Sequence, residues 1–239
     1  MKYKIADIVF ETNHIYKYTP WLCQKYVYNG EKKADCVIEI TKEDILIEKQ
    51  NAGGEDFPDF YLESLALYRK LCSYILNHAD GTLFHSSSLA VDDKGYLFTA
   101  PSGTGKSTHA RLWRETFGDR VVTINDDKPI IRRIDGVYYV YGTPWNGKHG
   151  LDNDIRVPIS AICEISQSKE NKIEKVTPTD MLMVALSQTI RPTEQKAMEN
   201  YLTFIDGLLK SVSLYKLGCN ISTEAAKLSF STMVEKDND

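Results

Sequence analysis

Residues 96–108 constrain this chain most, because a short apolar run there leads through a glycine-rich loop into a helix-forming segment. Residues 96–99 are apolar and β-prone, residues 100–107 read APSGTGKS, and residues 108–116 favour a helix. A strand, a loop of this pattern and a helix, in that order, are typical of a phosphate-binding loop. Ala100 stands at a position where such loops more often have glycine. The sequence therefore predicts a phosphate site at this loop.

The residue types of the loop suit that chemistry. Gly103 and Gly105 can turn backbone N–H groups toward one point, and the helix N-terminus adds partial positive charge there. Lys106 supplies a full charge to the terminal phosphates, and the hydroxyl of Ser107 can bind Mg²⁺. The residues that we predict to bind a nucleotide are Ser102, Gly103, Thr104, Gly105, Lys106, Ser107 and Thr108.

A pair of carboxylates follows the next predicted strand. Residues 121–124 are apolar and run directly into Asn125, Asp126 and Asp127. Carboxylates at the carboxyl end of a buried strand lie where an α/β sheet places its functional groups. One can hold Mg²⁺, and the other can accept a proton from an attacking hydroxyl. We place Asp126 with Ser107 as metal ligands, although the sequence leaves the two aspartates interchangeable, and a solvated turn before Pro129 is the alternative.

Other candidate residues lie on neighbouring segments. His85 falls within residues 82–91, which we predict to be a strand beside the loop, so it is either a structural histidine or a catalytic one. Residues 142–150 form a polar, glycine-rich loop that we expect to be exposed and to hold substrate. The substrate candidates are Trp145, Lys148 and Arg156, for which a plain surface loop and a surface ion pair are the alternatives.

The composition excludes several classes of protein. The net charge is -4 without a basic run, which argues against nucleic acid as a partner. The five cysteines are scattered, so we expect free, buried thiols and neither disulfides nor a zinc site. No segment resembles a signal peptide or an apolar membrane span, and we expect a cytoplasmic protein without a membrane partner.

Two regions are predicted, residues 1–81 and residues 82–239. The first is a small β-layer followed by a long buried helix that ends near His78, and we expect it to pack on the second. Its predicted strands are residues 3–10, 34–40 and 45–48. The second carries the loop, and its other predicted elements are a turn at 92–95, a hairpin over 129–134 and 137–142, a strand over 159–165, a helix to about Ile190, a helix capped by Thr193, a strand over 212–217 and a helix capped by Ser222.

Taken together, these motifs carry a family resemblance. The SGTGKS loop, the Asp126–Asp127 pair one βα unit later and the His85 segment upstream resemble the catalytic domain of HPr kinase/phosphorylase. They are also similar to the nucleotide site of ATP-type phosphoenolpyruvate carboxykinase. The resemblance covers roughly residues 82–235. The stretches TPWNGK, VPISAI and SLYKLGCN look like those of small HPr-kinase-related proteins found beside peptide-modification genes.

The resemblance implies an α/β fold, with a P-loop kinase core of this type, a mixed sheet with flanking helices, and a small N-terminal β/helix extension. It implies ATP and Mg²⁺ as cofactors, with the loop on the triphosphate and His85 near the transferred phosphate. One of Asp126 and Asp127 would be the general base. Thr108 departs from the pattern, because the family kinase has glutamate there, and Ser86 stands where it has glycine.

We therefore expect an ATP- and Mg²⁺-dependent kinase that phosphorylates a hydroxyl group. The acceptor is either a serine of a protein or peptide or a small metabolite, and the sequence also leaves open GTP or pyrophosphate as donor and a homo-oligomeric state. Thr108 motivates a second hypothesis, a regulatory nucleotide-binding protein with little turnover. A carboxykinase-like lyase is the third, since Lys148 and Arg156 are its only obvious dicarboxylate ligands.

Overall fold

The structure is a computed structural model that describes residues 1–192 and 194–235. The chain divides into two compact units, with the boundary between Ala79 and Asp80. Each unit has a sheet of its own. In the described part of the chain, no helix is both long and apolar enough to cross a membrane.

The first unit combines a three-stranded sheet with three helices. The sheet order is β1-β2-β3, antiparallel for the first pair and parallel for the second. The predicted single strand over residues 3–10 is wrong, because Ala6 and Asp7 adopt positive φ angles of 50° and 60° and turn the chain back as a hairpin. The elements are β1 (Lys2–Ile5), β2 (Ile8–Thr12), α1 (Tyr18–Leu22), a 3₁₀ turn (Gln24–Tyr26), β3 (Cys36–Ile38), α2 (Lys42–Asn51) and α3 (Asp59–His78).

The predicted strand at residues 45–48 is also wrong, because these residues lie inside α2. Thr41 and Asp44 form a capping box that starts the helix, with reciprocal bonds between side chain and backbone. Ion pairs from α3 hold the helix in place, from Arg69 to Glu48 and from Lys70 to Asp44. Capping and tertiary contacts thus override the local β-preference of the isoleucines. The long helix ending at His78 is confirmed.

The second unit is built on a mixed nine-stranded sheet flanked by helices, counted over the described residues. The elements are β4 (Gly81–Leu83), β5 (Ser87–Val91), β6 (Lys94–Thr99), α4 (Lys106–Phe117), a 3₁₀ helix (Gly118–Arg120), β7 (Val122–Asn125), β8 (Ile130–Ile134), β9 (Val137–Tyr141), β10 (Arg156–Gln167), β11 (Lys172–Lys175), α5 (Pro178–Ser187), α6 (Gln195–Ser211), β12 (Ser213–Cys219), α7 (Thr223–Phe230) and a π-helix (Ser231–Glu235). The strand order is β4-β8-β9-β10-β6-β5-β7, with β12 on β10 and β11 on β12.

Several boundaries in this unit differ from the prediction. The segment 82–91 is two strands, and His85 lies between them rather than on a strand. β10 begins at Arg156, β11 was not predicted, and α5 ends before residue 190. The predicted cap Thr193 lies outside the described residues. The β8–β9 hairpin, the mixed sheet with flanking helices and the Ser222 cap of α7 are confirmed.

Helix α4 is anchored in the core by aromatic side chains and a buried polar cluster. The ring of Trp113 lies 5.0 Å from those of both Phe98 and Phe230. The Ser229 hydroxyl accepts from the Trp113 indole at 2.8 Å and lies 2.9 Å from Nε2 of His109. The helix that follows the glycine-rich loop is therefore fixed on the sheet by packing and by buried hydrogen bonds.

All five cysteines are free thiols, as predicted. Four of them are buried, namely Cys23, Cys72, Cys163 and Cys219, while Cys36 on β3 is half-buried. Burial raises the pKa of Cys72 to about 12, so this thiol stays protonated and behaves as a small apolar side chain.

We predict that His109 makes the folded state sensitive to mild acid. Burial lowers the pKa of His109 from 6.5 to about 4. Below pH 6.5 the unfolded chain takes up a proton that the folded one does not, so stability falls as the pH drops toward 4. The expected loss between pH 7 and pH 5 is roughly 2 kcal/mol in urea unfolding. His109→Gln should remove this component, and an unchanged pH slope in that variant would contradict the assignment.

Candidate active site

The glycine-rich loop has the predicted setting between a strand and a helix. β6 ends at Thr99, and α4 begins at Lys106 with Gly105 as its N-cap. Gly103 and Gly105 have φ angles of 79° and 121°, a region that L side chains rarely adopt. The predicted nucleotide ligands lie together here, with Ser102 exposed and with Ser107 and Thr108 half-buried on the first turn of α4. Phosphate binding at this loop stays a prediction.

Lys106 turns back over the loop. Its Nζ donates to the carbonyl of Ala100 at 2.9 Å and to that of Pro101 at 3.4 Å. The side chain is buried, and burial lowers its pKa, while the negative charges of Asp127 and Asp126 oppose that shift. The ammonium group thus lies within electrostatic reach of both aspartates.

Strand order explains how the loop and the aspartates meet. β6 and β7 lie on either side of β5 and are both antiparallel to it. Their carboxyl ends therefore reach the same edge of the sheet. In register, Ser88 of β5 pairs with Leu97 of β6 on one side and with Asn125 of β7 on the other. The loop after β6 and the aspartates after β7 are thereby brought to one place.

Asp126 has one satisfied and one unsatisfied carboxylate oxygen. Oδ1 accepts from the Ser87 hydroxyl at 2.7 Å. Oδ2 is buried and has no hydrogen-bond partner among the described residues. A buried carboxylate oxygen without a donor is costly, and such an atom is satisfied when a cation or an added donor binds it. A cation bound at Oδ2 would therefore satisfy this carboxylate.

Asp127 is tied to two basic side chains. Its Oδ1 lies 3.0 Å from Nε2 of His85, and its Oδ2 is in contact with Nζ of Lys128. Burial acts to raise the pKa of Asp127, but the bond from His85 and the charge of Lys128 outweigh it and hold the pKa at about 2. Asp127 is therefore ionised at neutral pH.

His85 is held in place from three sides although it is not on a strand. Its backbone N–H donates to the carbonyl of Gln188 at 2.7 Å, and its carbonyl accepts from the Thr99 hydroxyl at 3.0 Å. Its Nδ1 lies 3.0 Å from Oε1 of Gln188. Sequence reasoning missed Gln188, which is the C-cap of α5 and is distant in the chain, and no local signal could have found it.

The side chain of Asn125 organises the turn that carries both aspartates. Its Oδ1 accepts from the N–H groups of Asp127 at 2.8 Å and Lys128 at 2.6 Å. Its Nδ2 donates to the Thr143 carbonyl at 2.9 Å. Asn125 is fully buried, so it joins the end of β7 to the loop after β9. We predicted no role for Asn125, and its place between an apolar strand and two aspartates is the signal that could have identified one.

The loop over residues 142–150 lies partly against the aspartates, but its residues differ in exposure. Trp145 is only 4% exposed, so the expectation of an exposed aromatic ligand is wrong. A Cβ on Gly147 would lie 3.7 Å from Oδ2 of Asp126, so the backbone approaches this oxygen closely. Lys148 and His149 are exposed. Trp145 supports the loop, and Lys148 remains a predicted substrate contact.

Arg156 packs on strand β9. Its guanidinium lies 5.3 Å from the ring centre of Tyr139, and its Nη1 is 3.5 Å from the Tyr141 hydroxyl. These contacts follow from the pairing of β10 with β9, in which Arg156 lies opposite Tyr141. A role for Arg156 at the acceptor stays a prediction.

A cleft of about 400 Å³ adjoins the outer side of the loop, and sequence reasoning did not predict it. Gln167 at the end of β10 donates to the Thr104 carbonyl at 3.3 Å, which ties the loop to the cleft wall. His109 faces the cleft, and its Nδ1 is buried and unpartnered among the described residues. The wall consists of Gly103, Thr104, Gly105, Thr108, His109, Leu112, Ile165, Gln167, Ser168, Cys219, Asn220 and Ile221.

Comparisons with known proteins give little beyond this geometry. No family model matches the chain, and no curated protein matches it. Among solved structures, it is similar to the HPr(Ser) kinase/phosphatase from Coxiella burnetii, with a TM-score of 0.37 and 10% identity, over 65% of this chain and 95% of that chain. A likeness this distant identifies no family, so the chemistry must be inferred from the residues of the site.

We predict that Asn125→Ala destabilises the second unit by about 3 kcal/mol, because it leaves several buried backbone groups without partners. Asn153→Ala is the matched control, since that exposed side chain makes a single hydrogen bond within the described part of the chain, to the Thr123 carbonyl at 2.7 Å. The control should lose less than about 1 kcal/mol in denaturant unfolding. Equal losses in the two variants would contradict the role given to Asn125.

Proposed function

We propose that this protein is a phosphotransferase that moves the terminal phosphoryl group of ATP to a hydroxyl acceptor. The observation that carries the proposal is the unpartnered buried oxygen of Asp126, beside an ionised Asp127 and within electrostatic reach of Lys106. A cation site, a proton acceptor and a phosphate-binding lysine at one sheet edge are the parts that phosphoryl transfer requires.

The loop and α4 would bind the phosphates. Backbone N–H groups of residues 102–107 and the N-terminus of α4 favour anionic oxygens. Lys106 now donates to two loop carbonyls, and phosphate oxygens are stronger acceptors for its ammonium group. If Lys106 exchanged the loop carbonyls for phosphate oxygens, its ammonium group would neutralise charge on the transferring phosphoryl group.

Mg²⁺ fits the residues of this edge. Among the described residues, no group of three or more His, Cys, Asp or Glu side chains could hold a metal ion by itself. Mg²⁺ is usually bound by one or two carboxylates together with substrate phosphates, so a full protein cage is not needed. Asp126, through Oδ2, and Ser107 would hold it. When bound, it would screen the charge of the phosphate oxygens.

Asp127 would receive the proton of the acceptor. The acceptor oxygen forms a bond to the γ-phosphorus, the bond from that phosphorus to the bridging oxygen breaks, and ADP carries away the electron pair. The hydroxyl proton passes to the Asp127 carboxylate. A pKa of about 2 makes Asp127 a weak base, which suits a loose transition state in which the proton leaves late. His85 and Lys128 would orient the carboxylate and the transferred group.

The cleft beside the loop would take the nucleoside. It is adjacent to Gly103 and Gly105, and it has apolar walls, among them Leu112 and Ile165. Ile221 is 77% exposed at its rim, an uncovered apolar surface that a base would shield from water. This favours a nucleoside triphosphate over pyrophosphate as the donor.

Substitutions of the two aspartates should affect different steps, the transfer rate for Asp127 and nucleotide binding for Asp126. Asp127→Asn should lower the rate of transfer from γ-labelled ATP about a hundredfold or more, with nucleotide affinity retained, because only proton acceptance is lost. Asp126→Asn should weaken Mg²⁺-dependent nucleotide binding itself. Calorimetry for binding and label transfer into a cell extract for the reaction measure the two effects separately.

Asp92→Asn is the control for these variants. Asp92 is an exposed carboxylate in the turn between β5 and β6, where it pairs with Arg120 at 2.9 Å, and its φ of 49° suits asparagine. It should leave binding and transfer unchanged. Tight Mg²⁺–ATP binding with no label in any fraction would overturn transfer and favour the regulatory nucleotide-binding role.

Ile221→Glu tests the position of the nucleoside. Placing a carboxylate at the rim of the cleft should weaken ATP binding about fivefold, since apolar contact with the base is replaced by a hydrated charge. Pyrophosphate should bind the variant as it binds the original chain. Equal weakening for the two ligands, or for neither, would contradict a base in this cleft.

A further inference from the structure

The first unit leaves one edge of its sheet open. The β1 edge is covered, because Tyr3 bridges Val27 and the Tyr28 N–H donates to the Lys2 carbonyl at 2.9 Å. At the opposite edge, β3 pairs with β2 on one side, and none of the residues that the structure describes pairs with its other side. An open strand edge is a template for another extended chain.

The ladder register identifies the backbone groups that face outward. Glu11 pairs with Val37 in parallel register, and the Asp35 N–H donates to the Val9 carbonyl at 2.6 Å. Residues 35 and 37 therefore bond to β2. Because the bonding direction alternates along a parallel strand, the N–H and C=O groups of Cys36 and Ile38 point to the open side.

A groove of about 530 Å³ runs along this edge. One wall is β3 with Glu39, and the other is a single face of α3, since its residues are spaced by three and four. The ring centres of Tyr74 and His78 lie 4.8 Å apart with their planes inclined at 37°, and the Tyr74 hydroxyl donates to the Asp35 carbonyl at 3.3 Å. The helix residues that line the groove are Lys70, Ser73, Tyr74, Asn77 and His78.

The charges around the edge favour a basic ligand. Lys70 is already neutralised, because its Nζ bonds to Asp44 and to the Glu39 carbonyl, each at 2.7 Å. Glu39 is exposed and follows Val37, itself 66% exposed, by two residues, while the exposed Glu11 lies opposite Val37 on β2 and opposite Lys2 on β1. A strand added at this edge would direct every second side chain toward these carboxylates.

We propose that the first unit binds an extended peptide as an added strand on β3, with basic side chains at alternate positions. Residues 70–78 of α3 span about 12 Å, so the groove accommodates about four extended residues. Backbone bonds to Cys36 and Ile38 would give affinity, and the groove would select the side chains that face α3. This inference does not depend on phosphoryl transfer. If the bound peptide were also the phosphate acceptor, peptide binding and phosphoryl transfer would serve the same reaction.

The test uses the full chain without nucleotide and a phage-displayed library of random peptides as the probe. Enriched peptides are synthesised, and their affinities are measured for the original chain and for two variants. Asn77→Trp fills the groove from α3, and Gln50→Trp is the control at an exposed site on α2 outside it. We expect alternating basic residues in the peptides and affinity about tenfold or more lower in Asn77→Trp only.

Amide hydrogen exchange then distinguishes strand addition from other modes of binding. The bound peptide should slow exchange at Cys36 and Ile38. Failure to enrich any peptide, equal affinity in Asn77→Trp, or protection elsewhere would overturn the proposal. Protection of β3 without peptide, together with a concentration-dependent dimer, would assign the edge to a second copy of the chain. Peptide binding by the original chain, together with no transfer of label from ATP to any fraction by that same chain, would sink the proposed function and leave this inference standing.

Discussion

The candidate site depends on the fully buried side chain of Asn125. Its amide satisfies the backbone of the turn that carries Asp127 and Lys128, and it reaches the Thr143 carbonyl in the loop after β9. Removing those bonds would leave the backbone polar groups of two segments unpaired in the interior. The neutral side chain of Asn125 therefore fixes the turn that carries Asp127 and Lys128, and the register of the sheet places that turn near the end of β6.

At the end of β6 and β7, some of the charged side chains have partners of opposite charge and others do not. Asp127 has His85 and Lys128 as partners, and its pKa is low despite burial. Within residues 1–192 and 194–235, the hydrogen-bond partners of Lys106 are loop carbonyls alone, and one oxygen of Asp126 has no partner. A phosphate and a divalent cation would complete the site, since each supplies the charge that one of these groups lacks.

Short-range signals predicted much of this arrangement. The loop between β6 and α4, the aspartates after β7 and the β8–β9 hairpin each follow from a few consecutive residues. The errors have tertiary causes. The isoleucines of α2 are helical because of a capping box and ion pairs with α3. Trp145 is buried, and Gln188 contacts His85 although the two are far apart in the sequence. Neither the cleft nor the groove has a signature in the sequence.

We propose that the loop, Lys106 and Asp126 together bind one Mg²⁺–nucleotide complex. A crystal structure of the full chain with Mg²⁺ and a non-hydrolysable ATP analogue tests it most directly. We expect phosphates on the backbone of residues 102–107, Mg²⁺ on Oδ2 of Asp126 and the base in the cleft beside Ile221. An analogue bound elsewhere, or a metal ion bound away from Asp126, would contradict it.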